Sequence, residues 1–149
     1  MGCAVIDHRD ETGSTLPLTI FYGFLSLVLI LLAVAATSLY LERKRLFTVA
    51  DGAALVGAEA YDLGDLAPTA DGHPRPELEA SDVRAAVAAY FDSAPVDGFE
   101  QLNVERATTV DGRSATVELS AYWRPPIVSL LVPEGLRIEV TAVARSVFD

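Results

Sequence analysis

The chain has very little of what an enzyme or a disulfide-bonded protein needs. Its 149 residues contain one cysteine, Cys3, and two histidines, His8 and His73. One cysteine excludes an internal disulfide, and two isolated histidines do not provide the ligand spacing of a metal site. The sequence also contains no glycine-rich phosphate loop and no Gly-x-Ser-x-Gly nucleophile motif. These absences predict a protein that is not an enzyme and holds no cofactor.

Basic side chains are scarce. The chain has 11 lysines and arginines against 21 acidic residues, a formal net charge of −10. Because nucleic-acid phosphates require a basic surface, this balance argues against a nucleic-acid partner. The exception is a short basic cluster formed by Arg43, Lys44 and Arg45. We expect this cluster to contact anionic lipid headgroups.

No charged residue occurs between Thr12 and Leu41, and Leu16–Leu41 is dominated by aliphatic side chains. A helix that crosses the hydrocarbon core needs about 20 apolar residues, so this run predicts a single membrane-spanning anchor. A cleaved signal peptide is the main alternative. Signal peptides have a shorter apolar region and a basic start, whereas this chain starts with an acidic segment. The remaining chain is also too small to enclose the run as a core helix.

Proline is absent between Pro17 and Pro68, so nothing ends the helix at the basic cluster. Ser14 or Thr15 can cap the first turn, where Pro17 is tolerated. We therefore predict a 1–13 tail and one helix over 14–61. At 1.5 Å per residue that helix is roughly 70 Å long, so about half of it extends beyond the bilayer.

The rest of the chain predicts a linker over 62–77 and a small head over 78–149. A second helix is expected in ASDVRAAVAAYFDSA, capped by Ser81 or Asp82. Alternating apolar residues then predict three antiparallel strands, with a turn at Asp111-Gly112. The residues expected to face inward are Ala115, Val117, Leu119, Ala121, Trp123, Leu136, Ile138, Val140, Ala142 and Ala144. Leu102 and Val104 alternate with polar residues in the first strand. The predicted fold class is α+β: a long N-terminal membrane helix extending into a pilin-like head with one further helix and a three-stranded sheet.

The helix carries a narrow face of small residues just after the basic cluster. Its members recur at steps of three and four: Leu46, Val49, Ala50, Ala53, Ala54, Gly57, Ala58 and Tyr61. Small residues let two backbones approach closely. This small-residue face can pack against the chain's own head or against partner subunits, with Ala53 and Gly57 as its central positions. Asp51 is interpreted as a solvated charge, or as a weak ion-pair partner of the basic cluster.

Three features together resemble the TadE/TadG-like family of Flp (Tad) pilus assembly proteins, particularly short actinobacterial versions. They are Gly13-Ser14 with Pro17, the segment YLERKRL at Tyr40–Leu46, and ADGAALVGAEA at Ala50–Ala60. The resemblance covers roughly residues 9–63. The segment after Gly13 lacks a glutamate at its fifth position, where Leu18 stands, so prepilin-type cleavage is not expected.

The resemblance implies a pilin-like component of the Tad apparatus that packs with other pilus subunits as a homo- or hetero-oligomer through residues 46–61. It also implies a cytoplasmic tail, an anchor in the cytoplasmic membrane and an extracytoplasmic head. The positive-inside rule alone would place the Arg43–Arg45 flank in the cytoplasm. The alternative function is a membrane-anchored extracytoplasmic sensor or accessory domain whose head binds a ligand in a deep pocket.

Overall fold

Two helices and three antiparallel strands make up the described part of the chain. In this computed structural model the described residues are 15–61, 77–94, 96–125, 128–130 and 132–145. The elements are α1 (Leu16–Ala58), α2 (Ala80–Ser93), β1 (Glu100–Thr109), β2 (Ser114–Trp123) and β3 (Leu136–Arg145), with a short 3-10 turn at Val128–Leu130. The predicted α+β class is confirmed. The predicted tail, the Ser14 cap, Cys3, both histidines and all of the predicted linker except Glu77 lie outside the described residues.

Helix α1 is continuous over 43 residues. Thr15 precedes it, and the Thr15 carbonyl accepts the first helical bond from the Thr19 amide at 2.9 Å. The basic cluster and the glycines do not interrupt α1, because one glycine costs only about 1 kcal/mol in a helix interior. The helix ends at Ala58, three residues before the predicted end at Tyr61.

The chain divides between Val34 and Ala35 into two compact units. The first unit contributes residues 16–34 of α1. The apolar window of the helix has a mean hydropathy of 2.6, and none of it is buried. A soluble protein does not normally leave so large an apolar surface exposed. By length and composition, α1 is therefore able to cross a membrane.

The second unit contains the rest of α1, α2 and the sheet. Helix α2 begins at Ala80, two residues earlier than a cap at Ser81 would allow, because Glu79 occupies the N-cap position without a side-chain cap bond. The Ser81 hydroxyl instead donates to the Glu79 carboxylate at 3.3 Å. The prediction that Ser81 or Asp82 caps the helix is therefore wrong. Asp82 lies in the first turn, where its negative charge complements the helix dipole.

The sheet has the order β1-β2-β3, with β2 in the centre. The inward prediction is confirmed for all five named residues of β2 and for Ile138, Val140 and Ala142 of β3, which are buried in one core. Ala144 is half-buried against that core. Leu136 lies opposite Trp123 and so on the predicted face, but it is exposed at the end of the sheet.

Strand β1 departs from simple alternation. Its pairing with β2 shifts register between Glu100 and Asn103 and again between Val104 and Arg106. An extra residue in one strand bends that strand and turns the following side chains to the other face. Leu102 packs on the core, whereas Val104 lies opposite the buried Leu119 and is exposed in the groove between β1 and α2. Ala107, beyond the second shift, is buried again.

The predicted Asp111-Gly112 turn connects β1 to β2. Gly112 has a φ of 64°, a left-handed conformation that glycine adopts without strain. The Asp111 carboxylate accepts three hydrogen bonds, from the Arg113 amide at 3.0 Å and from the Ser114 amide and hydroxyl at 2.7 Å each. The Ser114 hydroxyl and these two amides lower the pKa of Asp111 from 3.8 to about 2.

This turn should give the head an acid-dependent contribution to stability. A carboxylate with a lowered folded-state pKa stabilises the fold above its unfolded pKa, and this contribution is lost as the pH falls toward 2. We expect Asp111→Ala to lower the melting temperature at pH 5 and to converge with the wild type near pH 2. Asp92→Ala removes an exposed carboxylate of α2 and serves as the control. A constant difference between wild type and Asp111→Ala over this range would refute the assignment.

Candidate functional site on the first helix

Strand β2 lies along the part of α1 between Ser38 and Gly57. Near one end of β2, a Cβ placed on Gly57 would lie 3.2 Å from the Ala115 Cβ. At the other end, the Trp123 indole donates to the Ser38 hydroxyl at 3.3 Å. The helix rises about 28 Å from Ser38 to Gly57, and the strand spans about 26 Å from Ala115 to Trp123. The two lengths agree, so β2 runs antiparallel to α1 over this whole distance.

The small-residue face of α1 lies under the head of the same chain. Six of its predicted members are buried: Leu46, Ala50, Ala53, Ala54, Gly57 and Ala58. The five of these that are not glycine share one core with side chains of α2 and all three strands. Val49 is half-buried against this core, and Tyr61 is half-buried after the end of the helix. Of the two interpretations of this face, packing on the chain's own head accounts for the observed burial.

Gly57 is a point of close approach between the helix and the head. Besides Ala115, an added Cβ would meet the Val83 Cγ1 at 3.2 Å and the Val87 Cγ2 at 3.4 Å. These neighbours come from β2 and α2, so the glycine lies where all three elements meet. Distances of 3.2 Å leave no room for a larger side chain unless the neighbours move.

A different side of α1, about 100° around the helix from the small-residue face, carries an exposed row that the sequence interpretation did not include. We call Phe47, Asp51 and Leu55 the outer row, since they follow one another at steps of four and all three are exposed. Phe47 is 46% exposed and Leu55 is 54% exposed. The i, i+4 spacing of two large apolar residues around Asp51 was the available sequence signal.

Asp51 forms no ion pair with any described residue. In particular, the expected pairing with the basic cluster does not form, and Arg45 instead lies 4.0 Å from Glu42. The exposed Asp51 carboxylate therefore lies one helical turn from Phe47 and one from Leu55, and it has no counter-charge among the described residues. Arg43, Lys44 and Arg45 are all exposed, as contact with lipid headgroups requires.

A polar cluster lies across the three strands. The Glu105 carboxylate accepts from the buried Ser120 hydroxyl at 2.6 Å and from the Arg137 guanidinium at 2.8 Å. The Ser120 hydrogen bond, followed by the charge and hydrogen bond of Arg137, lowers the pKa of Glu105. Arg137 also pairs with Glu139 at 3.0 Å. These contacts join β1, β2 and β3 through satisfied partners, which is the arrangement of a structural tie between strands.

The described residues offer no metal site, since no three potential metal-binding side chains cluster among them. Two of the cavities that the described residues line are open grooves. One of about 400 Å³ lies between α2 and β1 beside Arg84 and Glu105, and one of about 340 Å³ lies between α1 and Phe99. A ligand-binding sensor would use a more enclosed pocket that buries most of its ligand. The grooves do not favour that alternative.

Helix α1, which carries these faces, also matches a known protein family. Residues 13–60 match the family model described as putative Flp pilus-assembly TadE/G-like. This segment is TadE/G-like. The match confirms the resemblance and covers the apolar run, the basic cluster, the outer row and all of the small-residue face except Tyr61. No curated protein matches the chain, and no solved structure matches it. The TadE/G-like segment ends before α2, so the family match does not extend to α2 or the sheet.

Proposed function

We propose that this protein is a membrane-anchored, pilin-like component of a Tad (Flp) pilus assembly or secretion apparatus. The observation that carries the proposal is the coincidence of the TadE/G-like match with a helix whose apolar part is unburied. The proposal includes a single pass through the cytoplasmic membrane, a cytoplasmic tail at 1–13 and an extracytoplasmic head over 78–149. The protein acts in assembly through helix packing and is not an enzyme.

Contact with partner subunits takes place on α1 between residues 46 and 61. The small-residue face cannot serve a partner while it is buried under the head of its own chain. The outer row lies on the same segment and is exposed, with two large apolar side chains for a partner to cover. We therefore assign the partner contact to Phe47 and Leu55 rather than to Ala53 and Gly57.

Asp51 sets a chemical condition on the partner. A surface that covers both Phe47 and Leu55 also covers the carboxylate between them. Removing a carboxylate from water without a partner is costly, so the covering surface must supply a cation or hydrogen-bond donors. A pilus subunit with a basic or polar side chain at this position meets the condition.

A photo-crosslinking residue at Leu55 tests the assignment in cells that assemble the apparatus. We expect crosslinks from position 55 to other pilus subunits. The matched control is the same photo-crosslinker at Val110, which is 86% exposed at the β1–β2 turn. Equal crosslinking from both positions, or none from position 55 in piliated cells, would contradict the assignment. Leu55→Glu should reduce piliation while leaving the melting temperature of the head unchanged.

A further inference from the structure

We propose that the end of the head that contacts α1 at Ser38 rests in the interfacial layer of the bilayer that α1 crosses. We call this surface the basal end and define it by Tyr40, Leu41, Trp123, Val132 and Leu136. The inference rests on the proposed membrane anchoring, and it assigns a lipid contact to the head in addition to the anchor.

The position of the basal end along α1 is the first observation. The Trp123 indole bonds to Ser38, which lies within the uncharged run that ends at Leu41. The apolar surface of the helix continues past this level, since Tyr40 is 65% exposed and Leu41 is 53% exposed. When Tyr40 and Leu41 lie in the apolar part of the bilayer, Trp123 lies at nearly the same depth. Its hydrogen-bond partner Ser38 is only about 4.5 Å of helix rise from Leu41.

The chemistry of the basal end is the second observation. Val132 and Leu136 are exposed apolar residues, and Leu136 is the cross-strand neighbour of Trp123. Together with Tyr40 they give the combination of aromatic and aliphatic side chains that is typical of the membrane interface. A tryptophan there can bury its ring while its N–H keeps a hydrogen bond.

The charges at this end are compatible with a shallow position. Arg124 pairs with Glu100 at 3.3 Å, and its Nε donates to the Glu134 carbonyl at 3.1 Å. The same guanidinium lies 5.7 Å from the centre of the Tyr122 ring. Glu134 remains an exposed carboxylate, which must stay among the headgroups. The basal end therefore enters the interface and not the hydrocarbon core.

The exposed basic cluster indicates that the surface in contact with the basal end is a lipid bilayer. Arg43 lies about 7 Å of helix rise beyond Ser38, close to the thickness of one headgroup layer. Its cationic neighbours Lys44 and Arg45 are exposed as well. The order along the helix is therefore apolar, aromatic and then basic, as a chain leaving an anionic membrane surface presents it.

Site-directed spin labelling of the full chain in liposomes tests this contact. Cys3 is the only thiol, so Cys3→Ser allows single labels to be placed at Val132 and, as a control, at Val110. We expect the label at position 132 to collide mainly with oxygen, which partitions into lipid. The label at position 110 should collide mainly with a water-soluble nickel chelate. The purified protein contains no other kind of subunit, so the available cover is lipid or a second copy of the chain, and only lipid admits oxygen freely.

Co-flotation of the labelled protein with the liposomes tests the membrane anchor separately from the contact of the basal end with lipid. If the chain floats and position 132 is as accessible to the nickel chelate as position 110, the basal contact is wrong and the anchor stands. If the chain does not float, both are wrong. If position 132 is shielded from oxygen as well as from the nickel chelate, protein and not lipid covers it, which also overturns the inference.

Discussion

Gly57→Leu is expected to be one of the two most destabilising single changes on α1. An added Cβ already lies 3.2 Å from Ala115 and from Val83, and leucine adds three further carbons. Overpacking of a filled core costs about 1–3 kcal/mol, and more where the neighbours cannot move. Here the neighbours belong to a strand and a second helix, so relief requires the head to shift away from α1.

The fluorescence of Trp123, the only tryptophan, reports this transition because the indole bonds to α1 at Ser38. We expect a lower melting temperature for Gly57→Leu in detergent. Gly23→Leu is the matched control, since an added Cβ at Gly23 meets no atom within 4 Å. Equal melting temperatures for wild type and Gly57→Leu would show that α1 and the head are not in close contact. Loss of piliation in Gly57→Leu would not identify a partner surface, because the head itself is affected.

Leu46→Ala should have an effect of at least similar size. Leu46 is fully buried in the core, whereas the next residue, Phe47, is 46% exposed. Truncating a buried leucine to alanine costs about 2–5 kcal/mol, because it removes buried apolar surface and leaves a cavity. Phe47→Ala removes more atoms but mostly from an exposed position, so its effect on stability should be much smaller.

These two neighbouring substitutions separate folding from assembly. Leu46→Ala should lower the free energy of unfolding measured by denaturant titration. Phe47→Ala should leave that free energy nearly unchanged and reduce crosslinking to partner subunits. The assignment of the two faces would be reversed if Phe47→Ala destabilised the head and Leu46→Ala did not.

The sequence predicted the elements of this fold because their signals are local. The uncharged run, the steps of three and four on α1 and the alternation in β2 each follow from one segment. β2 is also the central strand, with an apolar face that is buried along its whole length. Its periodicity was therefore undisturbed, and all of its inward residues were predicted.

The remaining features depend on contacts between distant segments. Small residues at a spacing of three and four show that a face of α1 is narrow, but they do not show whether the chain's own β2 or another subunit covers it. The shifts in β1 arise from its pairing with β2, so the alternation of Leu102 and Val104 did not reveal them. The Ser38–Trp123 hydrogen bond joins residues far apart in sequence and has no local signal.

The central claim is that the small-residue face belongs to the fold and the outer row belongs to the partners. It is tested most directly by thiol labelling of the purified chain without other subunits. In a Cys3→Ser background, single cysteines at Ala53 and Leu55 differ by two residues and lie on opposite faces of α1. A maleimide should label position 55 rapidly and position 53 only after denaturation. Rapid labelling of position 53 in the folded monomer would contradict the account.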